Sequence, residues 1–515
     1  MNYIYLSILS FFIIGCSVVG PDFRGVEDIQ APKEFQQLDT NISDTEIQNW
    51  WYMFHDKKLD TLIDKAYKNN LDIKQASLRI LQARTLLGLQ EGFRYPQVQT
   101  LSANAIAARK GSQNINNLGV NFDVGWEIDF WGKYARNIQS AQADLYLSVS
   151  SYRDIMTTII AEVARNYINY QVAQERIIYA KRNIAIQERV ARMTEIQFNS
   201  GNVSELDMQQ ARTQLYSTRA KLPSLELSKI NYLNALALLL GTTNDKIAPI
   251  LKDDDKNSNE YIKQNRYNTI ELNENIQRYV SLSIIPEIDI DPYKKIDISL
   301  IKRRPDIQVA EYRAISTNAK IGATTALLYP SFSIVGNVGI NSSDITGSFT
   351  SFSDSIGVSA GPTLQWNIFQ YDRIKDQIRF YDASFEEAML AYNKAVLNAM
   401  SEVSNSLNGY IYTKMQLEEN QKALKATLRA FNLSAKQYND GLVSYQRLLS
   451  TVEKLTLTQD IYAQIKGLVA INGVLLYKSL GGGWQYSNNK DYISDDIKEK
   501  LKNSSVDWGD YLVSP

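Results

Sequence analysis

Residues 120–134 read VNFDVGWEIDFWGKY. Val120, Phe122, Val124, Trp126, Ile128 and Phe130 are apolar, and Asn121, Asp123, Gly125, Glu127 and Asp129 lie between them. A period of two puts each set on its own face of a β-strand. A soluble sheet over a core gives the same alternation. Here, however, Asp123, Glu127 and Asp129 place three acids on one face, and the stretch has the length of a bilayer-spanning strand, roughly ten residues. Lipid on one side and a wet lumen on the other fit that pattern, which makes these three acids candidate lumen residues. Phe130, Trp131 and Tyr134 follow where a membrane interface favours aromatics.

The arrangement recurs. Asp72, Ile73, Ala76, Arg79, Tyr95 and Pro96 reappear as Asp306, Ile307, Ala310, Arg313, Tyr329 and Pro330, a shift of 234 without a gap. Phe198–Ser204 (FNSGNVS) matches Tyr438–Ser444 (YNDGLVS), and Leu240-Gly241 matches Leu480-Gly481, both at a shift of 240. One unit is used twice. In each, a helix of about 25 residues runs to Tyr-Pro, where proline stops it, and two strands follow. The first pair is Val98 to about Arg109 and Val120–Phe130. The second begins at Ser331, and its partner alternates from Ile356 to Ile368. Polar stretches 109–117 and 341–355 are expected as the loops of the two hairpins. Aromatics at Tyr95, Phe130-Trp131, Tyr329 and Phe369-Tyr371 mark one end of all four strands. Membrane barrels need about eight strands or more, since an open edge in lipid leaves backbone groups unpaired. Four strands therefore imply a barrel shared between subunits.

Between Gly132 and Gly201 there is no Gly or Pro, enough for one helix of about 100 Å. Tyr152, Met156, Ile159 and Val163, and again Ala173, Ile177, Ala180 and Ile184, step by 4, 3 and 4, the spacing of a coiled coil. Residues 371–440 repeat the long helix, interrupted only by Gly409, and shorter helices are expected over 204–240 and 444–480. The pre-strand helix and the post-turn helix, stacked end to end, nearly match the long one. An ordinary coiled coil explains the heptads but not the amphipathic hairpins set between them.

Residues 3–15 form an apolar run of signal-peptide length, with no Lys or Arg before it, ending at Gly15-Cys16. The sole Cys then either starts the mature chain and carries lipid or is a free thiol in a short helix. Lipid attachment adds about 0.8 kcal/mol per buried methylene, and Ser17 after Cys16 is similar to outer-membrane lipoproteins. The net charge of −1 gives no electrostatic case for nucleic acid. There is no phosphate loop, HExxH or GxSxG motif, and no convincing catalytic carboxylate pair. No metal, cofactor or enzymatic role is expected.

Cys16 with Val19-Gly20-Pro21-Asp22-Phe23 and Trp50-Trp51, then Trp126-Glu127-Ile128-Asp129-Phe130-Trp131-Gly132, and Arg303-Arg304-Pro305-Asp306-Ile307 at the start of the second unit, resemble the TolC-like outer-membrane factors. The likeness is to their lipoprotein branch, which serves resistance-nodulation-division pumps. It covers roughly Cys16 to Trp484. It implies a mainly α fold with membrane β: a tandem repeat of helix–strand–strand–long helix–helix, a homotrimeric α-barrel tunnel and a shared twelve-stranded barrel. It also implies a periplasmic adaptor and an inner-membrane pump as partners, outer-membrane lipid as surroundings, and passive conduction of small molecules. The chain divides into a signal peptide (1–15), a first repeat (16–240, hairpin about 97–131), an equatorial linker (241–298), a second repeat (299–484, hairpin about 331–369) and a tail (485–515) expected to be partly disordered.

The turns at Gly201 and Gly441 are expected at the periplasmic tip, and Gly there suits the left-handed geometry of a helix C-cap. By the resemblance, Tyr438 braces a closed gate, and Asp207 lies six residues past the first turn. Arg447 and Ser450 stand where acids are usual after the second. Asp207 and Arg447, at equivalent places, are candidates for a charge latch; the bland alternative is two solvated charges worth under about 1 kcal/mol each. Val203, Leu442 and Val443, with Gly201 and Gly441, are candidate adaptor contacts. Two rival functions keep parts of this picture: an exit duct for type I protein secretion, and a periplasmic coiled-coil scaffold that forms no channel.

Overall fold

The computed structural model describes residues 18–25, 40–41, 47–111, 113–252, 283–290, 294–295, 301–342, 356–487 and 491–512. Cys16 and the signal segment lie outside them, as do most of the linker and the second hairpin loop. The first unit comprises α1 (Lys57–Asn69), α2 (Leu71–Gly92), β1 (Val98–Lys110), β2 (Gln113–Ile128), α3 (Lys133–Asn199) and α4 (Glu205–Leu239), followed by the short α5 (Asn244–Leu251). The second comprises α6 (Pro305–Thr325), β3 (Ser331–Ser342), β4 (Ile356–Gln365), α7 (Tyr371–Asn439) and α8 (Tyr445–Ser479), with α9 (Asp495–Lys502) in the tail. The sheet is a four-stranded antiparallel meander, β1-β2-β3-β4, so the two hairpins lie side by side. Within one chain β1 and β4 each pair on one side only.

α3 has 67 residues and α7 has 69, about 100 Å each at 1.5 Å per residue. Gly409 does not interrupt α7. The coiled-coil positions Tyr152, Met156, Val163, Ala173 and Ile177 are buried. α2 and α4 both pack along α3, and α8 packs on α7 and α3, while α6 bridges α3 and α7. The short helices meet end to end. Asn70 caps α2 by accepting from the Ile73 amide at 2.9 Å, and its own amide donates to the Leu239 carbonyl at the end of α4, 2.8 Å away. At the same place in the second unit Arg304, buried at the start of α6, donates to the Ser479 carbonyl at the end of α8 at 2.7 Å. Its other nitrogens reach Asp306 and Glu402.

Each long-to-short turn and each α4 and α8 end closes the same way. Gly201, Gly241, Gly441 and Gly481 have φ between 59° and 78°. The amide after each glycine bonds back five residues, as in Asn202 to Gln197 and Leu442 to Gln437, both 2.8 Å, a Schellman cap.

Two expectations need correction and one, on the tail, is narrowed. The polar stretch 109–117 is not a loop: the strands stay paired to Lys110↔Gln113, so the first hairpin turns tightly at Gly111. Residues 113–117 are strand residues paired with β1. The tail is ordered over 491–512, where Ile493 and Leu512 pack with Leu81 of α2, and Lys74 pairs with Asp496 at 3.2 Å. Finally, β4 ends at Gln365, and a 3₁₀ turn (Ile368–Gln370) replaces its expected extension to Ile368.

One piece of the linker, residues 283–290, crosses the middle of the helical layer as a strap. Ile285, Ile288 and Ile290 are buried. The Tyr410 hydroxyl accepts from the Ile290 amide (2.9 Å) and donates to the Ile288 carbonyl (3.2 Å). Glu175 accepts from Ser283 Oγ (2.6 Å) and the Ile284 amide (3.1 Å). Lys414 pairs with Asp289 at 2.6 Å, and buried Lys466 pairs with Glu287.

Candidate functional site

The sheet has two unlike faces. Register aligns Leu101, Phe122, Val338 and Val358 across all four strands, with Val120, Ile340 and Ile356 beside them. Leu101 and Val358 are each 72% exposed in the single chain, so this apolar face has nothing of its own chain against it. The opposite face aligns Thr100, Asp123, Asn337 and Ser359, and Asn337 Nδ2 donates to Asp123 Oδ1 at 2.7 Å. An apolar outside and a polar inside are what a membrane barrel wall requires.

At the foot of the sheet the other two acids turn to the helices. Glu127 accepts from Lys133 Nζ (2.7 Å) and the Tyr134 hydroxyl (2.9 Å). Asp129 lies beyond the end of β2, and its carboxylate accepts from the Tyr134 (3.0 Å) and Ala135 (2.7 Å) amides. It thus satisfies two of the unpaired donors at the start of α3, where the helix dipole favours negative charge. Aromatics gather at this level. Trp131 stacks on Tyr329 with centroids 4.6 Å apart and donates to the Pro330 carbonyl, while Phe130 packs on Phe332.

A segment the sequence did not single out as a contact is held here. The Val19 amide donates to the Trp131 carbonyl at 3.1 Å. Buried Arg136 donates to the Val19 and Gly20 carbonyls and to Asp22, the last at 2.7 Å. Gly20, at φ 90°, packs on Gly322 so closely that a Cβ would lie 2.4 Å from the Gly322 Cα. Phe23 meets Phe385 edge-on. Residues 18–23 therefore staple α3, α6 and α7 together just below the sheet.

The far end holds the tip residues. Asp207 and Ser204 form a capping box at the start of α4: the Asp207 amide donates to Ser204 Oγ (3.2 Å), and the Ser204 amide donates back to the carboxylate (3.1 Å). Arg447 and Ser450 are exposed, and no ion pair reaches Arg447 among the described residues. The structure does not join Asp207 to Arg447 within a chain, because the Asp207 carboxylate is engaged by its own helix start. The Ser204-x-x-Asp207 pattern before a helical run is the sequence signal for this role. Tyr438 is buried, and its hydroxyl donates to Gln197 Oε1, tying α7 to α3. Burial raises its pKa above the usual phenol value. The neighbouring Tyr445 ring lies 6.1 Å away, edge-on, and its buried hydroxyl has no partner among the described residues. Gly201, Gly441 and Leu442 are exposed, and Val203 and Val443 are half-buried. Leu442 is 73% exposed, and Ile196 and Leu206 add to the open apolar surface of the tip.

Midway up, Asp154 of α3 faces the Arg304 joint. Burial, and next the nearby Asp306 carboxylate, push its pKa up to about 6. No group of metal-ligating side chains occurs among the described residues, and no described helix is long and apolar enough to cross a membrane.

A family profile described as "Outer membrane efflux protein" matches residues 62–242 and 299–482. The probable outer membrane lipoprotein SilC of Salmonella typhimurium is 25% identical over 488 residues, covering 93% of this chain and 98% of SilC. The cation efflux system protein CusC of Escherichia coli O157:H7 is 26% identical, covering 92% and 97%. Among solved structures, the outer-membrane channel OprN superposes with a TM-score of 0.77 at 24% identity, covering 91% of this chain and 99% of that one. The Campylobacter jejuni CmeC outer membrane channel gives 0.76 at 23%, covering 95% and 99%.

Proposed function

Because this chain belongs to the outer membrane efflux protein family, we propose that it is the exit duct of a tripartite efflux system. In this reading it is a homotrimer that passively conducts small molecules from an inner-membrane resistance-nodulation-division pump and a periplasmic adaptor to the outside. The observation that carries the reading is the sheet: one apolar face, one wet face, and outer strands β1 and β4 each paired on one side only, continuous with helices about 100 Å long. Copies of the chain pairing β4 to β1 would close it, since lipid forbids an open edge. Asp123 and Glu127 then line the lumen, and Asp129 stands at its foot as the cap of α3.

The remaining assignments belong to the same reading. Cys16 is the lipidation site. Val18, the first described residue after it, lies against Gly132 at the sheet–helix junction. The likeness to SilC, a probable outer membrane lipoprotein, supports lipidation there. The tips at Gly201, Val203, Gly441, Leu442 and Val443 dock the adaptor. Tyr438, with Asp207, Arg447 and Ser450, forms the periplasmic gate, where any latch involving Arg447 must come from a neighbouring protomer. The stretch absent from the family match, 243–298, includes the strap and serves as the equatorial linker.

Deleting the gene and scoring sensitivity to dyes, detergents, bile salts and antibiotics, beside the profile of secreted proteins, tests the function. Broad hypersensitivity with normal secretion supports efflux of small molecules. A missing secreted protein with unchanged sensitivity moves the duct to type I secretion. Absence of conductance from the purified protein in planar bilayers would favour the scaffold.

A further inference from the structure

A cleft of about 220 Å³ opens just below the sheet, between α3, α6 and α7. Lys133, Asn137, Lys320, Thr324, Gln377 and Tyr381 line it, and none of its lining residues is a carboxylate. Lys133 is neutralised by Glu127, 2.7 Å away. Lys320 differs: it is half-buried and has no ion-pair partner among the described residues. Removing an ammonium from water without a counter-charge is costly. Here it shares a concave site with a second lysine, with the side-chain amides of Asn137 and Gln377, and with the Tyr381 hydroxyl, which can donate.

Two observations place this cleft on the inner side of the wall. Lys133 is bonded to Glu127, which shares the wet face of the sheet with Asp123 and Asn337. On α6, Lys320 and Thr324 lie about 160° or more around the helix from Gly322 at 100° per residue, and Gly322 is where the 18–23 staple crosses on the other side.

We propose that this cleft binds small oxyanions, the phosphate or carboxylate groups of molecules in the tunnel, with the Lys320 ammonium as the principal charge. The placement rests on the duct reading; the binding site does not. A trimer would carry three such clefts around the neck, each with its own Lys320 ammonium.

The test uses the full-length protein in zwitterionic detergent, with pyrophosphate as the probe. Calorimetric titration should show binding by the wild type and weakening of about tenfold or more in Lys320→Gln, as expected for loss of a charge-assisted contact. Lys375→Gln, on the opposite side of α7 from Gln377, should bind as wild type does. In planar bilayers of zwitterionic lipid, pyrophosphate should reduce the current through the wild type and not through Lys320→Gln. Lys320-dependent retention of anionic phospholipid, without a pyrophosphate effect, would identify a lipid headgroup as the source of the same oxyanion. Conductance without Lys320-dependent binding of either overturns the site. Binding without conductance keeps the site and overturns the duct.

Discussion

Two tyrosine hydroxyls in this structure should respond oppositely to the same substitution. Tyr410 is fully buried, and its hydroxyl serves both the Ile290 amide and the Ile288 carbonyl. Tyr410→Phe keeps the ring but leaves a buried donor and a buried acceptor without partners. Each such group costs about 1–3 kcal/mol, so the strap should lose about 2–6 kcal/mol against local opening. At 1.4 kcal/mol per factor of ten, exchange of the Ile290 amide should accelerate by roughly 30-fold at the low end and up to about 20,000-fold at the high end, under conditions where exchange reports the opening equilibrium. Tyr445 at the tip has a buried hydroxyl with no partner among the described residues, so Tyr445→Phe removes an unmet desolvation cost and should raise the apparent melting temperature or leave it unchanged. Hydrogen-exchange mass spectrometry on the detergent-solubilised protein reads the strap, and thermal scans at one fixed rate compare the variants. An acceleration below about threefold at Ile290, or destabilisation by Tyr445→Phe equal to that by Tyr410→Phe, would refute the reasoning.

Asp154 gives a pH-dependent prediction. Its folded pKa is raised from 3.8 to about 6, so the folded state holds a proton that the unfolded chain releases, and stability falls as pH rises through roughly 4 to 6. Asp154→Asn should therefore melt higher than wild type at pH 7.5, by up to about 3 kcal/mol in stability, with the gap closing toward pH 4; an equal gap at both pH values counts against it. Ser204→Ala breaks the capping box and should cost about 1 kcal/mol, visible as faster exchange over the first turn of α4 and not over α8. Gly20→Val drives a side chain into Gly322 and forces a strained φ, so the 18–23 staple should detach and become cleavable by added protease while the four-stranded sheet stays formed.

The repeat, the strand faces and the long helices were legible because each depends on a period: two along Val120–Phe130, about 3.6 along Tyr152–Val163, and 234 to 240 between the units. Positions whose partners lie far away in the chain were not. The caps made by Asp129 and Asp207 are local but equally hidden, because acids on a wet face and acids at a helix start look alike in sequence; the backbone amides they accept from reveal the cap. Stretch 109–117 looks like a loop in sequence because its mostly polar residues lack the alternation that marks a strand. The tail looked disordered because its few apolar residues, such as Ile493 and Leu512, gain meaning only against Leu81. Arg136 and Tyr410 carried no local signal, since the 18–23 segment and the strap that they hold are more than 100 residues distant.

The two end-to-end helix joints repay comparison as inherited parts. Duplication supplied the same seam twice, and the seam chemistry then diverged: Asn70 closes one with a neutral amide, while Arg304 closes the other with a charge held by two carboxylates. Neutral hydrogen bonds are about half as strong as charge-assisted ones. A torque applied along the wall should therefore be shared unequally, with the Asn70 seam yielding first. Threefold repetition of such a chain gives a ring in which stiff and soft joints alternate, so its elasticity has a lower symmetry in function than its architecture has in shape.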